Sequence, residues 1–399
     1  MQRTEIAPGI YWVGAVDWNV REFHGHTYTT HRGSTYNAYL IVDEKVALVD
    51  TVYGPFTDEL LTRIRDILPV EKIDYVISNH VETDHSGGMP GLMKLIPDRP
   101  VYCTARGRDG LFKYYQQKWD FHPVKSGETL KLGKRTLSFL EAPYLHWPDS
   151  MFTYVVEDAI LMPNDAFGQH YATAARFADE VDQYALYEEA AKYYANILYP
   201  LSSLVVKKIE EVQKLKLPIK MIAPSHGLIW RKDPTQIVLK WLAWARGEAR
   251  DEVVVAFDTM WGSTEEMAGL IMEGLKAEGM PARLFKMSVT DRSDVLKEIL
   301  YCRGLLVGSS TINRDILPTM APLLEDLRGL RPVKKVGAAF GAYGWNGGAV
   351  SSIEKRLNEA TVNVALPGLS LSWRADAAER ERCIEFGKAF ARKLREPAN

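Results

Sequence analysis

Residues 80–85 read His80-Val81-Glu82-Thr83-Asp84-His85, directly after the short β-rich run DYVISN and directly before Gly87 and Gly88. Four of these six residues are potential metal ligands, and the two glycines allow the tight backbone that a loop needs to wrap a small ion. In an extended chain residues 80, 82 and 84 would share one face while His85 points the other way, a spacing that suits two neighbouring ions better than one. Burying so many polar groups without a cation would leave desolvated charges costing several kcal/mol. Further donors stand at the ends of later β-rich runs: His146 in LHWPD, Asp165 in ND and His226 in PSHG. Taken singly, each of the three has an ordinary reading as a core histidine or as a turn or cap residue. Beside the 80–85 cluster they become candidates for one site, because strand ends in a layered α/β fold converge on one edge.

The surrounding pattern is α/β. Short β-rich runs end in Asn, Asp, His or Gly at 36–43 (YNAYLIVD), 46–51 (VALVDT), 74–80, 136–143 (TLSFLEAP), 159–165 (AILMPND) and 219–227 (IKMIAPSHG). Helical periodicity lies between them, as in Leu60, Leu61, Ile64, Ile67 and Leu68, and again from Tyr184 to Leu198. Such alternation predicts an α/β sandwich. At 245–252 the chain turns polar and charged (WARGEARDE), and EVVVAF then starts a new pattern. The expected domains are therefore residues 1–248 and 252–399. In the second, strands and helices alternate with short loops, the signature of an open parallel sheet wound on both faces, at flavodoxin size.

Composition narrows the function classes. The chain has 399 residues, beyond the roughly 250 to 300 at which one core stops growing. It is 46% hydrophobic and 25% charged with a formal charge of −2, so it should bury real cores and lacks the basic footprint of a nucleic-acid binder. No basic-then-apolar leader and no long apolar run is present, which leads us to expect neither export nor a membrane span. Cys103, Cys302 and Cys383 are odd in number and far apart, as expected of reduced thiols in a cytoplasmic protein. Any metal must then be held by histidines and carboxylates.

The second half carries its own constellation. After EVVVAF comes Asp258-Thr259-Met260-Trp261-Gly262-Ser263-Thr264 at a helix start, which offers hydroxyls, backbone N–H groups and a favourable dipole to a phosphate. The segment resembles the phosphate loop of flavodoxins. Two more loops open at the same edge: Ser309-Ser310-Thr311-Ile312-Asn313, and Gly341-Ala342-Tyr343-Gly344-Trp345-Asn346-Gly347-Gly348. The Gly-rich loop lets backbone approach a ring edge, and Trp345 or Trp261 could stack on it. With no GxGxxG fingerprint, FMN is favoured over NAD or FAD. The predicted FMN contacts are Thr259, Met260, Trp261, Gly262, Ser263, Thr264, Ser309, Ser310, Thr311, Ile312, Asn313, Ala342, Tyr343, Gly344, Trp345 and Gly347.

The pattern HxExDH, followed by His146, Asp165 and His226, resembles the metallo-β-lactamase fold in its flavodiiron protein version, and the likeness covers essentially the whole chain. Other segments that resemble the family are GIYWVGAVDWN, FHGHTYTTHRGSTYNAYL, LHWPDSMFTY, NDAFGQH, AAKYYANI and PSHGLIWRKDP. Hydrolases of the fold carry HxHxDH, whereas this chain has Glu82 in place of the second His, a harder donor set that favours iron or manganese over zinc. The resemblance implies a metallo-β-lactamase-like αβ/βα sandwich followed by a flavodoxin-like domain. It implies His80, Glu82 and His146 on one iron, Asp84, His85 and His226 on the other, and Asp165 bridging. His24 and Tyr193 match positions near the diiron pocket of relatives, where a polar group could steady a diatomic or relay protons. The implied activity is reduction of NO to N2O, of O2 to water, or both, with electrons passing through FMN from an external donor, either a rubredoxin-like protein or a reduced deazaflavin. A head-to-tail homodimer or tetramer is also implied. Two rival classes are a zinc hydrolase with a regulatory flavin domain and an electron-transfer protein with a vestigial metal site. Metal content separates the first, and turnover of O2 or NO the second.

Overall fold

A computed structural model describes residues 4–396. Its packing divides the chain into two units, one running up to Tyr193 and resuming over Ser203–Leu242, the other made of Tyr194–Ser202 and everything from Ala243 onward. The charged stretch 245–252 thus lies inside the second unit. That unit also takes in the π-helical turn Tyr194–Leu198, which follows the helix Gln183–Tyr193. Tyr194 packs its ring 5.5 Å from that of Trp244, and Asn196 Nδ2 donates to the Ser293 carbonyl at 3.1 Å.

The first unit is built on two facing sheets. Seven strands form one sheet in the order Thr4–Ala7, Ile10–Trp12, Tyr39–Val42, Val46–Val49, Tyr75–Ile77, Val101–Cys103, Phe121–Pro123, antiparallel over the first four and parallel thereafter. Five form the other, in the order Thr129–Lys131, Thr136–Glu141, Met151–Val155, Ile160–Met162, Met221–Ile222. Side-chain alternation explains the layering. Tyr39, Ile41, Val49 and Ile77 point into a core shared with Phe139, Met151, Ile160 and Met162, while Leu40, Leu48 and Val76 point to the opposite face. There they meet Leu60 and Ile64 of the helix Thr57–Arg65, and Leu92 and Leu111. That helix is local in origin, with Asp58 and Glu59 at its positive end and Arg63 and Arg65 at its negative end. On the outer face of the second sheet Phe152 and Leu161 face the helices Ser202–Lys214 and Thr235–Ala245. The result is an αβ/βα sandwich.

The second unit is a parallel sheet in the order Ala282–Lys286, Arg250–Asp258, Cys302–Ser309, Val336–Tyr343, with the last flanked by both Asn363–Val364 and Leu369–Ser372. Helices cover both faces. Ser263–Ala277 and Ala377–Arg395 bury Met267, Ile271, Phe390 and Leu394 on one side, while Arg292–Tyr301, Ala321–Leu330 and Ala349–Glu359 bury Val295, Leu323 and Ile353 on the other. It is the doubly wound arrangement expected from the alternating pattern. Cys103, Cys302 and Cys383 are buried, unpaired thiols, and no described helix is long and apolar enough to cross a membrane.

One strand end shows how the fold aims a side chain. Past Met221–Ile222, Gly227 turns the chain at φ +75, and a Cβ there would run into the Gln169 side chain and carbonyl. The Gly227 amide donates to Thr35 Oγ1 at 2.6 Å, and Gln169 Oε1 accepts from the Leu228 amide at 2.8 Å. Together these hold His226 facing the sheet edge. Gly227→Ala is therefore expected to destabilise the first unit by about 1 to 3 kcal/mol through overpacking and left-handed strain. Thermal unfolding followed by circular dichroism checks this; an unchanged midpoint would refute it.

Candidate functional site

The 80–85 segment is extended only through Glu82, at φ −53 and ψ 143, and then makes a helical turn over Thr83–Ser86. The sequence reading considered an extended chain with 80, 82 and 84 on one face; the turn instead swings Asp84 over to the side of His85. Its cause is local. Ser86 Oγ donates to the carbonyls of Val81 at 2.6 Å and Glu82 at 3.0 Å, and the His85 and Ser86 amides donate to the Glu82 carbonyl. Gly87 lies where any Cβ would collide with the Thr83 carbonyl.

This geometry sorts the seven predicted donors into two adjacent groups, His80, Glu82, His146 and Asp165, and Asp84, His85 and His226, each with ligand atoms within 4.8 Å of one another. In the first, Glu82 Oε2 lies 3.3 Å from His80 Nε2 and 3.4 Å from His146 Nε2, and Asp165 Oδ2 lies 3.1 Å from His146 Nε2 and 3.8 Å from His80 Nε2. In the second, Asp84 Oδ2 lies 3.1 Å from His226 Nε2 and Asp84 Oδ1 3.5 Å from His85 Nε2. Asp165 Oδ1 completes it at 3.0 Å from His85 Nε2 and 3.4 Å from His226 Nε2. One oxygen of Asp165 thus serves each group. Donors bound about 2.1 Å from a shared ion stand roughly 3 to 3.5 Å apart, so the spacings match a coordination sphere.

The donors are also poised to receive cations. His80 Nδ1 lies 2.9 Å from Asp149 Oδ2, and a carboxylate only accepts, so that nitrogen keeps the proton and Nε2 faces the group. His226 is set the same way by the Thr35 carbonyl, 2.6 Å from its Nδ1. Burial opposes charge on His80, His85 and His146, yet hydrogen bonds and attraction from Asp149, Glu82, Asp84 and Asp165 outweigh it and push all three up to about 10. Burial likewise opposes charge on Glu82 and Asp165, and the same imidazoles hold both carboxyls well below the usual range. Even so, Asp84 Oδ1, Asp165 Oδ1 and both nitrogens of His85 are buried without an aligned hydrogen bond among the described residues. Orphaned acceptors at this depth are costly unless a cation holds them, and two divalent ions fit the donor set.

Around this cluster, His24 Nε2 stands 3.6 Å from Glu82 Oε1, and burial lowers the pKa of its ring. Tyr193 is buried beside His226, with ring centroids 6.3 Å apart, and burial pushes its phenol well above the usual value. The sequence reading missed three neighbours. Asp149 orients His80 and accepts the Val81 amide at 2.9 Å. Asp50 accepts both the Asn79 amide at 2.7 Å and Asn79 Nδ2 at 3.0 Å, pinning the strand end that carries His80. His170 is buried with Nδ1 2.7 Å from Ser34 Oγ and its ring 4.8 Å from that of His226. Asp149 and His170 lie in the stretches LHWPDSMFTY and NDAFGQH, and Asp50 stands next to last in the run VALVDT, the signals that could have found them.

In the second unit the three loops line a groove at the carboxyl edge of the parallel sheet. Met260, Trp261, Ser263, Ser310, Thr311, Ile312, Asn313, Ala342, Tyr343, Gly344 and Trp345 border it. Thr259, Gly262, Thr264, Ser309 and Gly347 do not border it, and four of them shape the loops. Thr264 Oγ1 pairs with Ser310 Oγ at 2.9 Å, Thr259 Oγ1 accepts the Gly262 amide at 3.0 Å, and Ser309 Oγ accepts the Leu317 amide at 2.9 Å. Gly262, at φ +89, opens the helix Ser263–Ala277 toward the groove. Trp261, Trp345 and Trp373 expose 91%, 97% and 68% of their surface, so flat aromatic faces flank a groove bordered by Ser263, Ser310 and Thr311, features suited to a planar ring bearing a phosphate. Trp373 and Arg374 were not expected; they follow the strand Leu369–Ser372, which brings a fourth loop to the same edge.

Comparison with known proteins accounts for both halves. Residues 35–227 match the family described as ODP family beta lactamase, and residues 255–387 match the flavodoxin family. The nitric oxide reductase of Moorella thermoacetica is 55% identical over 395 residues, which cover 98% of this chain and 99% of that protein. The structure of rubredoxin oxygen:oxidoreductase from Desulfovibrio gigas superimposes with a TM-score of 0.96 at 36% identity, covering 98% of each chain. The flavodiiron protein of Giardia intestinalis superimposes with a TM-score of 0.95, also at 36% identity, over 99% of this chain and 97% of that one. Likeness of this extent, spanning the two-group donor cluster and the aromatic groove alike, means that the chain belongs to the flavodiiron protein family.

Proposed function

We propose that this chain is an oxidoreductase that takes electrons from an external donor through FMN to a non-haem diiron site and reduces NO to N2O, O2 to water, or both. The observation that carries this reading is the Asp165 carboxylate, which turns one oxygen to each of two donor groups at distances suited to a pair of ions sharing one bridge. His80, Glu82 and His146 would hold one iron and Asp84, His85 and His226 the other, with Asp165 between them. The Met260–Ser263, Ser310–Asn313 and Ala342–Trp345 loops would hold the FMN.

When bound, the iron pair supplies two one-electron equivalents and open coordination positions for a diatomic gas, and FMN accepts electrons and delivers two. Four stored electrons suffice to take O2 to two waters, and two suffice to couple two NO into N2O and water. The protein's own residues supply the rest. Asp149 and the Thr35 carbonyl fix the imidazole faces of His80 and His226. Burial lowers the pKa of the His24 ring, whose Nε2 could offer a hydrogen bond at the rim beside Glu82, and raises that of the Tyr193 phenol, whose ring lies 6.3 Å from that of His226 and which could hold a proton there. The name of the Moorella relative supports NO as substrate, and that of the Desulfovibrio relative supports O2 with rubredoxin as donor. A rubredoxin-like protein or a reduced deazaflavin is the proposed donor, a head-to-tail homodimer or tetramer the proposed assembly, and the cytoplasm, in keeping with three unpaired thiols, the proposed compartment.

Anaerobically purified protein is expected to carry two irons and one FMN per chain and to consume NO or O2 with a photoreduced flavin as reductant; two zincs and no uptake after iron-replete expression would replace this reading with a hydrolase. Asp165→Ala, or His146→Ala, should lower gas reduction by about 100-fold or more while leaving the bound-flavin spectrum unchanged, and wild-type rates would break the site assignment. Asp149→Ala should weaken iron retention about 10- to 100-fold in chelator competition, because His80 loses its orienting partner; retention equal to wild type would show that Asp149 does not set that ligand.

A further inference from the structure

Behind the second sheet of the first unit lies a cavity of about 120 Å³, lined by Leu145, Phe152, Leu161, Phe167, Val205, Trp241 and other apolar side chains. Its inner wall is buried, while Val212, Leu217 and Ile219 at its outer end are half-buried beside exposed Gln213. The one cation at its border, Lys208, directs its ammonium to the Glu141 carbonyl at 2.9 Å and to Glu211 at 2.8 Å. No charged group is left to orient a polar ligand, and the volume falls below the roughly 300 Å³ at which drug-sized sites begin.

The position of the closed end gives the cavity a use. Leu145, on its wall, directly precedes His146, and Ala166 and Phe167, also on its wall, directly follow Asp165. Two backbone segments therefore present a candidate ligand to one side and an apolar side chain to the other. Phe167 sits at φ +67, a conformation that bulky residues avoid, held by the Trp230 Nε1 hydrogen bond to its carbonyl at 2.9 Å and by its ring 4.8 Å from that of Trp241. We propose that this cavity binds small apolar gas molecules and serves as an antechamber from which the diatomic substrate reaches the donor cluster across the Leu145–His146 and Asp165–Phe167 segments. The role rests on the function proposed above; the affinity for apolar gas does not.

Crystals of the metal- and FMN-loaded protein pressurised with xenon should show density within the cavity. Val205→Phe, which fills it from the helix Ser202–Lys214, should abolish that density and raise KM for the gas about fivefold or more with kcat, iron and FMN contents unchanged. Ile209→Ala, which enlarges the cavity, should increase xenon occupancy without raising KM and keeps the test open if the larger side chain prevents folding. No xenon in the wild type, or an unchanged KM in a variant that has lost xenon, overturns the proposal. A loaded wild type that turns over neither gas overturns the function and the antechamber role with it, while xenon density in the same crystals upholds the cavity as a gas site.

Discussion

Charge balance in a dry place is the constraint on which the first unit depends. Three carboxylates and four imidazoles stand within a few ångströms of one another, five of them buried and Glu82 and His146 half-buried. Left alone they lower their energy only by drawing protons, which is why three of the imidazoles are pushed up to about 10 despite burial. Divalent cations do the same task with fewer particles and fill the orphaned positions on Asp84, Asp165 and His85 as well. Much of the surrounding structure follows from holding these groups in place while they repel one another. Asp149, Asp50 and the Thr35 carbonyl each anchor a strand end or ring from behind, and the Ser86 hydroxyl sets the turn that divides the cluster in two.

That division was only half legible in the sequence. The ligand types, their crowding after a strand and the two glycines mark a metal loop without any knowledge of the fold, and the strand-end positions of His146, Asp165 and His226 extend it. What spacing alone does not give is the helical turn at Thr83–Ser86, because four residues are too few to show periodicity and the turn is fixed by the Ser86 hydroxyl together with amide bonds to the Glu82 carbonyl. The residues behind the ligands were invisible for another reason. Asp149 and Asp50 act through two hydrogen bonds each, to residues about 69 and 29 positions away in the chain, and nothing near them in sequence distinguishes them from ordinary turn aspartates.

The second unit reads the other way round. Its alternation of strand and helix makes the doubly wound sheet plain from the sequence, since the central strands carry continuous apolar runs, such as VVVAF at 253–257 and LLV at 305–307, covered on both faces. Individual roles within the loops are less plain. Thr264 and Ser309 look like ligand hydroxyls in sequence, yet both are fully buried and spend their oxygens on Ser310 and Leu317, bracing the loops that Met260, Ser310 and Thr311 present to the groove. Trp373 escaped notice because the last strand is split into Asn363–Val364 and Leu369–Ser372, which breaks the rhythm that identified the other three loops.

Burial that makes the donor cluster effective also isolates it, so electrons, protons and substrate cannot all arrive by open solvent. The chemistry of each sorts them onto different parts of the chain. Electrons need a conjugated carrier, and the groove flanked by Trp261, Trp345 and Trp373 suits one. Protons need groups that can hold them near the donor cluster, the role proposed for His24 and Tyr193, and burial lowers the pKa of the first and raises that of the second. An apolar gas needs neither charge nor hydrogen bonds; it needs a path that water does not favour, and Leu145 and Phe167 border such a space one residue from His146 and two from Asp165. Glu82 links these demands to the identity of the metal. Substituting a carboxylate for an imidazole adds a negative charge and a hard oxygen, which stabilises the oxidised state of a redox-active ion and gains nothing for a zinc ion that never changes charge. A site that must cycle its charge therefore has reason to carry Glu82 and to be joined to a flavin, and the two features that seem independent in the sequence answer the same electrochemical need.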